Sequence, residues 1–344
     1  MDFFAGANTK NGFCSIFAEV LASAERVWII KGTSGCGKST FMKRIASEAE
    51  SRGYSAHRVY CSGDPDSLDG VIVPELGFAA ADGTAPHVLE PNNPVLREKL
   101  VDLGAFIDEK RLLPHKNEIA DLCAEKAFCY SAAYRLLHAA GALASSADML
   151  ASYDEAGIMR EARRALDKYA PSFGGGGTEK VFASAFTASG IKVMPCFGRA
   201  ETLVSPGGDE RAAKLFLRFA AEYAAESKRQ CVLSLCATDG EGYDSVYFPP
   251  DGALFTLLKD PPCAEYSRQK TLNPGRFCRT PDKETKKRVK ELDSLAANVR
   301  ARAQSQLAEA RGIHREIEKY YSAALDIAAL QEYTEKAVKR VFGE

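Results

Sequence analysis

One short segment constrains the fold of this chain more than any other. Residues Gly32 to Thr40 read Gly-Thr-Ser-Gly-Cys-Gly-Lys-Ser-Thr, which matches the Walker A pattern of a phosphate-binding loop. The apolar run from Val27 to Ile30 precedes the loop, and a segment with helical spacing, Phe41 to Ala46, follows it. Strand, glycine-rich loop and helix is the order that this motif requires. The pattern therefore predicts an α/β fold built around a phosphate loop.

The residue types of the loop suit the binding of a polyphosphate. Its three glycines permit backbone conformations in which successive N–H groups turn inward around an anion. A helix that begins near Lys38 adds the positive end of its dipole. We expect Lys38 to contact the β- and γ-phosphates and the Ser39 hydroxyl to bind Mg²⁺. The residues expected to bind ATP are Gly32, Thr33, Ser34, Gly35, Cys36, Gly37, Lys38, Ser39 and Thr40.

A Mg-ATP site of this kind also needs a carboxylate at the end of a strand, which holds the metal through water. Four apolar or small residues, Phe78 to Ala81, lead directly into Asp82. We therefore take Asp82 as the second metal residue and, with Lys38, as a catalytic residue. Asp64, in the acidic loop after the run His57 to Ser62, is the alternative.

The chain contains two related halves. The segment Val181 to Thr187 resembles Phe3 to Thr9, and further matches recur at a constant offset of 175 residues. Several coincidences at one offset indicate an internal duplication. The matched pairs at that offset are Asp69 and Asp244, Val71 and Val246, Pro74 and Pro249, Gly77 and Gly252, and Pro86 and Pro261.

The second half lacks the chemistry of the first. When Arg218 is aligned with Arg44, Ala212 and Ala213 are the counterparts of Lys38 and Ser39. At the offset of 175, Leu257 is the counterpart of Asp82. Asp209 and Glu210 lie in the same stretch and would repel phosphate. We expect a degenerate second loop and a single nucleotide site per chain.

Helical patterns and glycines suggest where the domains lie. Apolar residues at spacings of three and four run from about Asn93 to Tyr169, and four glycines, Gly174 to Gly177, follow as a linker. We predict a P-loop NTPase domain at 1–173 with a helical insertion at about 94–170. A degenerate P-loop-like domain at 178–344 follows, with a helical extension at about 282–342. Each unit should have a mostly parallel sheet and its own helical hairpin.

Composition excludes some classes of protein. Among 344 residues, 45 are basic and 46 are acidic, so the formal charge of −1 favours neither nucleic acid nor a membrane surface. The chain shows no signal peptide and no membrane-spanning run, which favours the cytoplasm. The ten cysteines are spread without Cys-x-x-Cys pairs, as expected for reduced thiols.

The loop, the repeat and the segment Cys61 to Leu76 together resemble an uncharacterised bacterial family of tandem P-loop ATPases. The stretch Asp82 to His87 is also similar to that family, and so is the element Phe3 to Thr9. The resemblance implies ATP binding and ATP hydrolysis, and it brings no established substrate. The second half departs from the family pattern between Pro206 and Ala213.

Three functions fit these observations, and a fourth, nucleic-acid binding through the basic residues from Lys259 to Lys290, is disfavoured because acidic residues are interleaved with them. The first is an ATPase with Mg²⁺ as cofactor, in which hydrolysis moves the two halves or the helical region, with Arg211 as a possible trans contributor. The second is a small-molecule or nucleotide kinase with a helical lid that carries Arg160, Arg163 and Arg164. The third is an ATP sensor that holds a protein partner without turnover. The sequence identifies neither the small-molecule nor the protein partner.

Overall fold

A computed structural model of the protein describes residues 1–259, 266–279 and 281–343. We call residues 1–173 the first half and 174–344 the second half. The fold is a mixed α/β structure with two six-stranded sheets. The helices are α1 (Phe17–Val20), α2 (Lys38–Ser51), α3 (Glu109–Leu112), α4 (Lys116–Leu150), α5 (Glu155–Tyr169), α6 (Glu210–Glu226), α7 (Lys283–Ala323) and α8 (Ile327–Val341).

Strands occur in both halves. Those of the first half are β1 (Asp2–Phe4), β2 (Gly6–Thr9), β3 (Gly12–Ser15), β4 (Arg26–Lys31), β5 (His57–Tyr60), β6 (Leu68–Val73), β7 (Phe78–Asp82) and β8 (Glu98–Asp102). Those of the second half are β9 (Gly174–Val181), β10 (Ser184–Thr187), β11 (Gly190–Val193), β12 (Thr202–Pro206), β13 (Arg229–Leu235), β14 (Tyr243–Phe248), β15 (Ala253–Thr256) and β16 (Arg268–Leu272).

The first sheet has the strand order β1-β5-β6-β7-β4-β8. β4 lies between β7 and β8 and runs parallel to both, whereas β6 runs antiparallel to β5 and β7. The turn between β6 and β7 ends at Gly77, whose φ of 55° suits a residue without a Cβ. Ile30 of β4 lies opposite Asp82 of β7. The loop after β4 and the end of β7 therefore share one edge of the sheet.

The second sheet, β16-β12-β15-β14-β13-β9, repeats this order and these strand directions. Both sheets are mixed, because β6 and β14 run antiparallel to both of their neighbours. The turn from β14 to β15 also ends at a glycine, Gly252, with φ of 57°. The sequence match at Pro261 lies outside the described residues.

The two halves meet along β1 and β9. Phe4 and Phe182 exchange two backbone hydrogen bonds, with N–O distances of 2.8 and 3.0 Å. Both side chains are fully buried, in one apolar cluster that also includes Val59 and Val232. Phe4 ends β1 and Phe182 directly follows β9, so this antiparallel bridge joins corresponding ends of the two sheets.

The long helices correct one prediction. We expected a helical hairpin within each half, but α4 of the first half pairs antiparallel with α7 of the second. Leu137 of α4 packs with Ala303 and Leu307 of α7, and Cys129 packs with Ile313. The helical periodicity identified the apolar stripes, but it could not say which stripe covers which.

The helices that follow α4 and α7 cross between the halves. Leu330 and Val338 of α8 pack against Phe41 of α2, beneath the first sheet. Ile158 and Leu166 of α5 pack in the same way on the second sheet. The strands of the first sheet therefore precede residue 173 and those of the second sheet follow it, whereas each half contributes a helix to the core of the other.

Two further predictions need correction. The region at 94–170 is not helical from its start, because β8 pairs with β4 and extends the first sheet. Val95 interrupts any helix there, with φ of 72°. The four glycines do not form a free linker, since Gly174–Val181 is a strand that pairs with β13. Backbone hydrogen bonds hold this edge strand and need no side chains. Among the described residues, no helix has the length and apolar character needed to cross a membrane.

Candidate functional site

The loop from Gly32 to Gly37 connects β4 to α2, as the sequence predicts. Three of its glycines have positive φ: 147° at Gly32, 75° at Gly35 and 90° at Gly37. Gly37 is the N-cap of α2, where no side chain accepts a hydrogen bond from the helix, and no acidic residue lies in the first turn. Free N–H groups at this end of α2, together with its dipole, favour an anion.

Helices of the second half pack directly on this loop. A Cβ on Gly35 would lie 2.7 Å from Ser322 Oγ and 2.9 Å from the carbonyl oxygen of Glu318, both near the end of α7. A Cβ on Gly37 would lie 2.8 Å from Leu330 of α8. At Gly35 the backbone of Glu318 leaves no room for a Cβ, and the positive φ at both positions favours glycine. The loop and the end of α7 are therefore in close contact.

Lys38 is the first residue of α2, and its side chain contacts the loop. Its Nζ donates hydrogen bonds to the carbonyl oxygens of Gly32 and Thr33, at 3.1 and 2.9 Å. The same Nζ lies 3.6 Å from Asp82 Oδ2, and both side chains are mostly buried. The structure therefore brings together the predicted catalytic lysine and the predicted metal carboxylate.

Asp82 is held in a defined orientation. Its Oδ1 accepts hydrogen bonds from the backbone N–H of Thr84, at 2.8 Å, and from the Thr84 hydroxyl, at 2.6 Å. Oδ2 is thereby left to face Lys38. Burial raises the pKa of Asp82, and the positive charge of Lys38 partly opposes this effect.

The other predicted loop residues surround this pair. Ser39 Oγ accepts a hydrogen bond from the backbone N–H of Leu68, at 2.9 Å. Thr33 Oγ1 is shielded from solvent and has no hydrogen-bond partner, as expected of a donor that a ligand could satisfy. Ser34 is partly buried at the loop tip, and Thr40 is exposed on the first turn of α2.

Asp64, the alternative metal carboxylate, is engaged elsewhere. It forms an ion pair with Arg311 of α7 and accepts a hydrogen bond from Ser67 Oγ at 2.8 Å. Arg311 also lies 3.6 Å from Asp66. These contacts attach the acidic loop to α7, and the residue after that loop, Leu68, contacts Ser39. The geometry favours Asp82 over Asp64 as the residue that faces the phosphate loop.

The start of α6, which corresponds to the start of α2, has an acidic N-cap and an acidic first turn. The N-cap of α6 is Asp209, whose Oδ1 accepts a hydrogen bond from Ala212 N at 2.9 Å. The same oxygen accepts a 2.7 Å hydrogen bond from the Tyr153 hydroxyl. Glu210 follows in the first turn. A carboxylate of the chain itself thus occupies the end of α6 that an anion would need.

Burial shifts the predicted alignment of the two helices by one residue. The buried residues of α2 match those of α6 at an offset of 175 rather than 174. Lys38 and Ser39 therefore correspond to Ala213 and Lys214, where the sequence comparison suggested Ala212 and Ala213. The matched buried residues are Phe41, Met42, Ile45, Ala46 and Ala49 in α2, and Phe216, Leu217, Ala220, Ala221 and Ala224 in α6.

Arg211 lies in the second half and contacts the long helices there. It forms ion pairs of 2.5 Å with Asp148 of α4 and with Asp293 of α7. These bonds connect the start of α6 to both long helices. The predicted lid arginines also pair elsewhere, as Arg163 does with Glu226 at 3.0 Å.

Sequence reasoning missed a buried pair near the site. His87 Nε2 lies 2.9 Å from Asp69 Oδ2, and both residues are buried. The His87 ring packs edge-on against Phe13 and Phe17. In the second half, Ser184 Oγ donates a 2.6 Å hydrogen bond to the matching Asp244. Only the fold brings these partners together, and no local motif indicates either pair.

Cys36 is buried within the loop. Burial raises the pKa of its thiol, although Lys38 and backbone N–H groups favour the thiolate. Burial thus outweighs the loop dipoles at this position.

Metal binding at the site would depend on the nucleotide. Among the described residues, no group of three His, Cys, Asp or Glu side chains could hold a metal by itself. Mg²⁺ in nucleotide sites takes few protein ligands and several oxygens from phosphate and water, so Ser39 and Asp82 fit that ion.

Comparison of the chain with protein-family models, curated proteins and solved structures found no match.

Proposed function

We propose that the protein is a P-loop ATPase that binds Mg-ATP at one site per chain, formed by residues 32–40 and Asp82. The observation that carries this proposal is the contrast between the two helix starts. α2 has a glycine N-cap and no acid in its first turn, whereas α6 has Asp209 and Glu210 there. One helix start can accept phosphate and the other already holds a carboxylate.

The chain's residues would divide the work at this site. Loop N–H groups and Lys38 would hold the phosphates, while Ser39 and Asp82 would hold Mg²⁺, which neutralises charge on the transferring phosphoryl group. Thr84 keeps Asp82 in place through two hydrogen bonds. Phosphoryl transfer needs little beyond such positioning and charge neutralisation.

The architecture further suggests how nucleotide binding would act on the rest of the protein. The loop contacts the end of α7 through Gly35 and Ser322, and Arg311 attaches α7 to the acidic loop beside Ser39. A change at the phosphate loop would therefore shift α7 and the α4–α7 pair. Arg211 anchors the opposite end of that pair to the second half.

We also propose that the halves derive from a duplicated P-loop unit. The support is the shared order and direction of six strands and the reciprocal pairing of Phe4 with Phe182. A small hairpin recurs as well: Thr9 Oγ1 donates to Gly12 O and Thr187 Oγ1 to Gly190 O, at 2.9 and 2.8 Å. The second unit would have kept its shape and lost its phosphate site.

ATP turnover by wild type, Lys38→Ala and Lys214→Ala tests this function. Lys38→Ala removes two charge-assisted contacts to phosphate. This loss should cost about 3 kcal/mol of binding free energy, or roughly 100-fold in affinity for ATP. Lys214 is a matched control, since it lies near the start of α6 and pairs with Glu210 at 3.0 Å. Equal effects of the two variants would refute a single site in the first half.

The same assay separates the alternatives. Phosphate release without an acceptor supports the ATPase, whereas turnover only with a small-molecule or nucleotide acceptor supports a kinase. Tight binding of ATP without turnover supports an ATP sensor that acts on a protein partner. The position of α5 on the second sheet argues against a lid that carries Arg160, Arg163 and Arg164 over the first-half site.

A further inference from the structure

The first turns of α7 present a row of lysines. Lys283, Lys286, Lys287 and Lys290 follow the spacing that places residues on one face of a helix, and all four are exposed. They precede Asp293, the residue through which Arg211 connects α7 to α6. The row spans about 10 Å of helix at 1.5 Å per residue.

These lysines are poorly neutralised within the chain. Lys287 lies 3.9 Å from Glu291, and Glu284 pairs with Arg288 rather than with a lysine of the row. Within the part of the chain that the structure describes, no carboxylate lies within 4.0 Å of the other three lysines. Cations near the start of a helix also oppose its dipole, so they do not stabilise α7.

Neighbouring segments extend the positive charge. Arg268 and Lys270 are exposed on β16, an edge strand that pairs with β12 alone among the described strands, and Arg279 is exposed between β16 and α7. From residue 268 to 291 the sequence has nine basic and three acidic residues, in a chain whose formal charge is −1. This stretch of sequence is therefore strongly basic, and it includes the lysine row.

We propose that this surface binds the phosphate backbone of nucleic acid without sequence preference. We call it the basic surface, and its residues are Lys283, Lys286, Lys287 and Lys290, on one face of α7. Lysine ammonium groups act as point charges toward phosphate, and contacts to phosphate carry no sequence information. Duplex DNA offers one charge per about 1.7 Å, or about six phosphates along the lysine row.

The composition of the surface favours nucleic acid over a membrane. An interfacial helix inserts large apolar side chains between lipid headgroups, beside its cationic face. Of the exposed large apolar residues in the described chain, none lies between 266 and 291. The basic surface thus offers charge without an apolar anchor.

Fluorescence anisotropy with the full chain tests the proposal. The probes are labelled single- and double-stranded DNA and single-stranded RNA of unrelated sequences, with salt varied from about 50 to about 200 mM. We expect similar affinities across sequences and a fall in log K with log salt of slope about −3 to −5. The triple variant K283Q/K286Q/K290Q should weaken binding at least tenfold and reduce the slope by about 2 to 3.

A matched control removes the same charge elsewhere. Lys110, Lys116 and Lys192 are exposed and lie outside the basic surface, so the variant K110Q/K116Q/K192Q should bind almost as wild type does. Both triple variants should retain the wild-type circular dichroism spectrum. Absence of salt-dependent binding, equal losses in the two variants, or binding to phosphatidylserine vesicles but not to oligonucleotides would each overturn the proposal.

Discussion

Replacing Asp82 by asparagine should stabilise the protein while strongly lowering the Mg-dependent ATP turnover that we propose. Burial raises the pKa of Asp82 more than the charge of Lys38 lowers it, so the ionised carboxylate is disfavoured in the folded state. Asparagine keeps an oxygen for both hydrogen bonds from Thr84, at 2.8 and 2.6 Å, while its amide N–H groups face Lys38 and offset part of the gain. The variant loses the negative charge that metal binding needs. It also loses the unfavourable free energy of burying that charge.

General values give the magnitude of the stability gain and of the turnover loss. Removing an unfavourable buried charge should add about 1 kcal/mol of stability, within the usual range for single stabilising substitutions. For 344 residues, an unfolding entropy of about 2 cal/mol/K per residue makes this about 1 to 2 °C in Tm. Loss of one preorganised electrostatic contact should lower turnover by about 100-fold.

The assay combines melting in EDTA near neutral pH with Mg-dependent phosphate release. Asp64→Asn is the matched control, because Asp64 instead forms an ion pair with Arg311. That variant should lose up to about 1 kcal/mol of stability, since the pair is partly exposed, and keep most of its turnover. A D82N protein destabilised by more than about 1 kcal/mol, or a D64N protein without turnover, would refute the reasoning.

Three further predictions concern Asp244, Cys36 and Arg211. Burial raises the pKa of Asp244 to about 6, so wild type should gain stability as pH falls from above 6 toward about 4; Asp244→Asn should lack this gain in melting curves, and an identical pH profile would contradict it. Iodoacetamide should label exposed Cys123 well before buried Cys36, as mass spectrometry would show, and the reverse order would count against an inert loop thiol. Arg211→Ala should lower Tm through its lost ion pairs but leave ATP turnover unchanged; a large loss of turnover would place Arg211 at the site.

Local patterns predicted the elements that depend on local chemistry. The glycines at 32, 35 and 37 sit where positive φ is needed, and the loop joins a strand to a helix as the motif requires. Asp82 ends a strand beside the loop, and the continuous run of small and apolar residues from Phe78 to Ala81, all buried, marks that strand. Periodicity also identified the apolar faces of the long helices.

Local patterns could not predict which segments that are distant in sequence pair with each other. The sequence comparison placed the second-half alignment one residue off, since only burial shows which residues of α6 face the sheet. β8 and β9 were taken for helix and linker, because an edge strand is defined by backbone hydrogen bonds to a distant partner. The buried His87–Asp69 pair likewise needs two separate segments to meet.

The sequence by itself determined that a glycine loop of the Walker A pattern, with its lysine and its hydroxyl, joins a strand to a helix, and that Asp82 ends a strand, because these features depend on local backbone geometry. Only the tertiary structure decided what surrounds the loop. Gly35 contacts the end of α7 and Arg311 reaches the loop that holds Asp64, so helices from the second half form a wall of the first-half site. Apolar stripes are interchangeable in sequence, and the choice among partners is made by the packing of the whole chain.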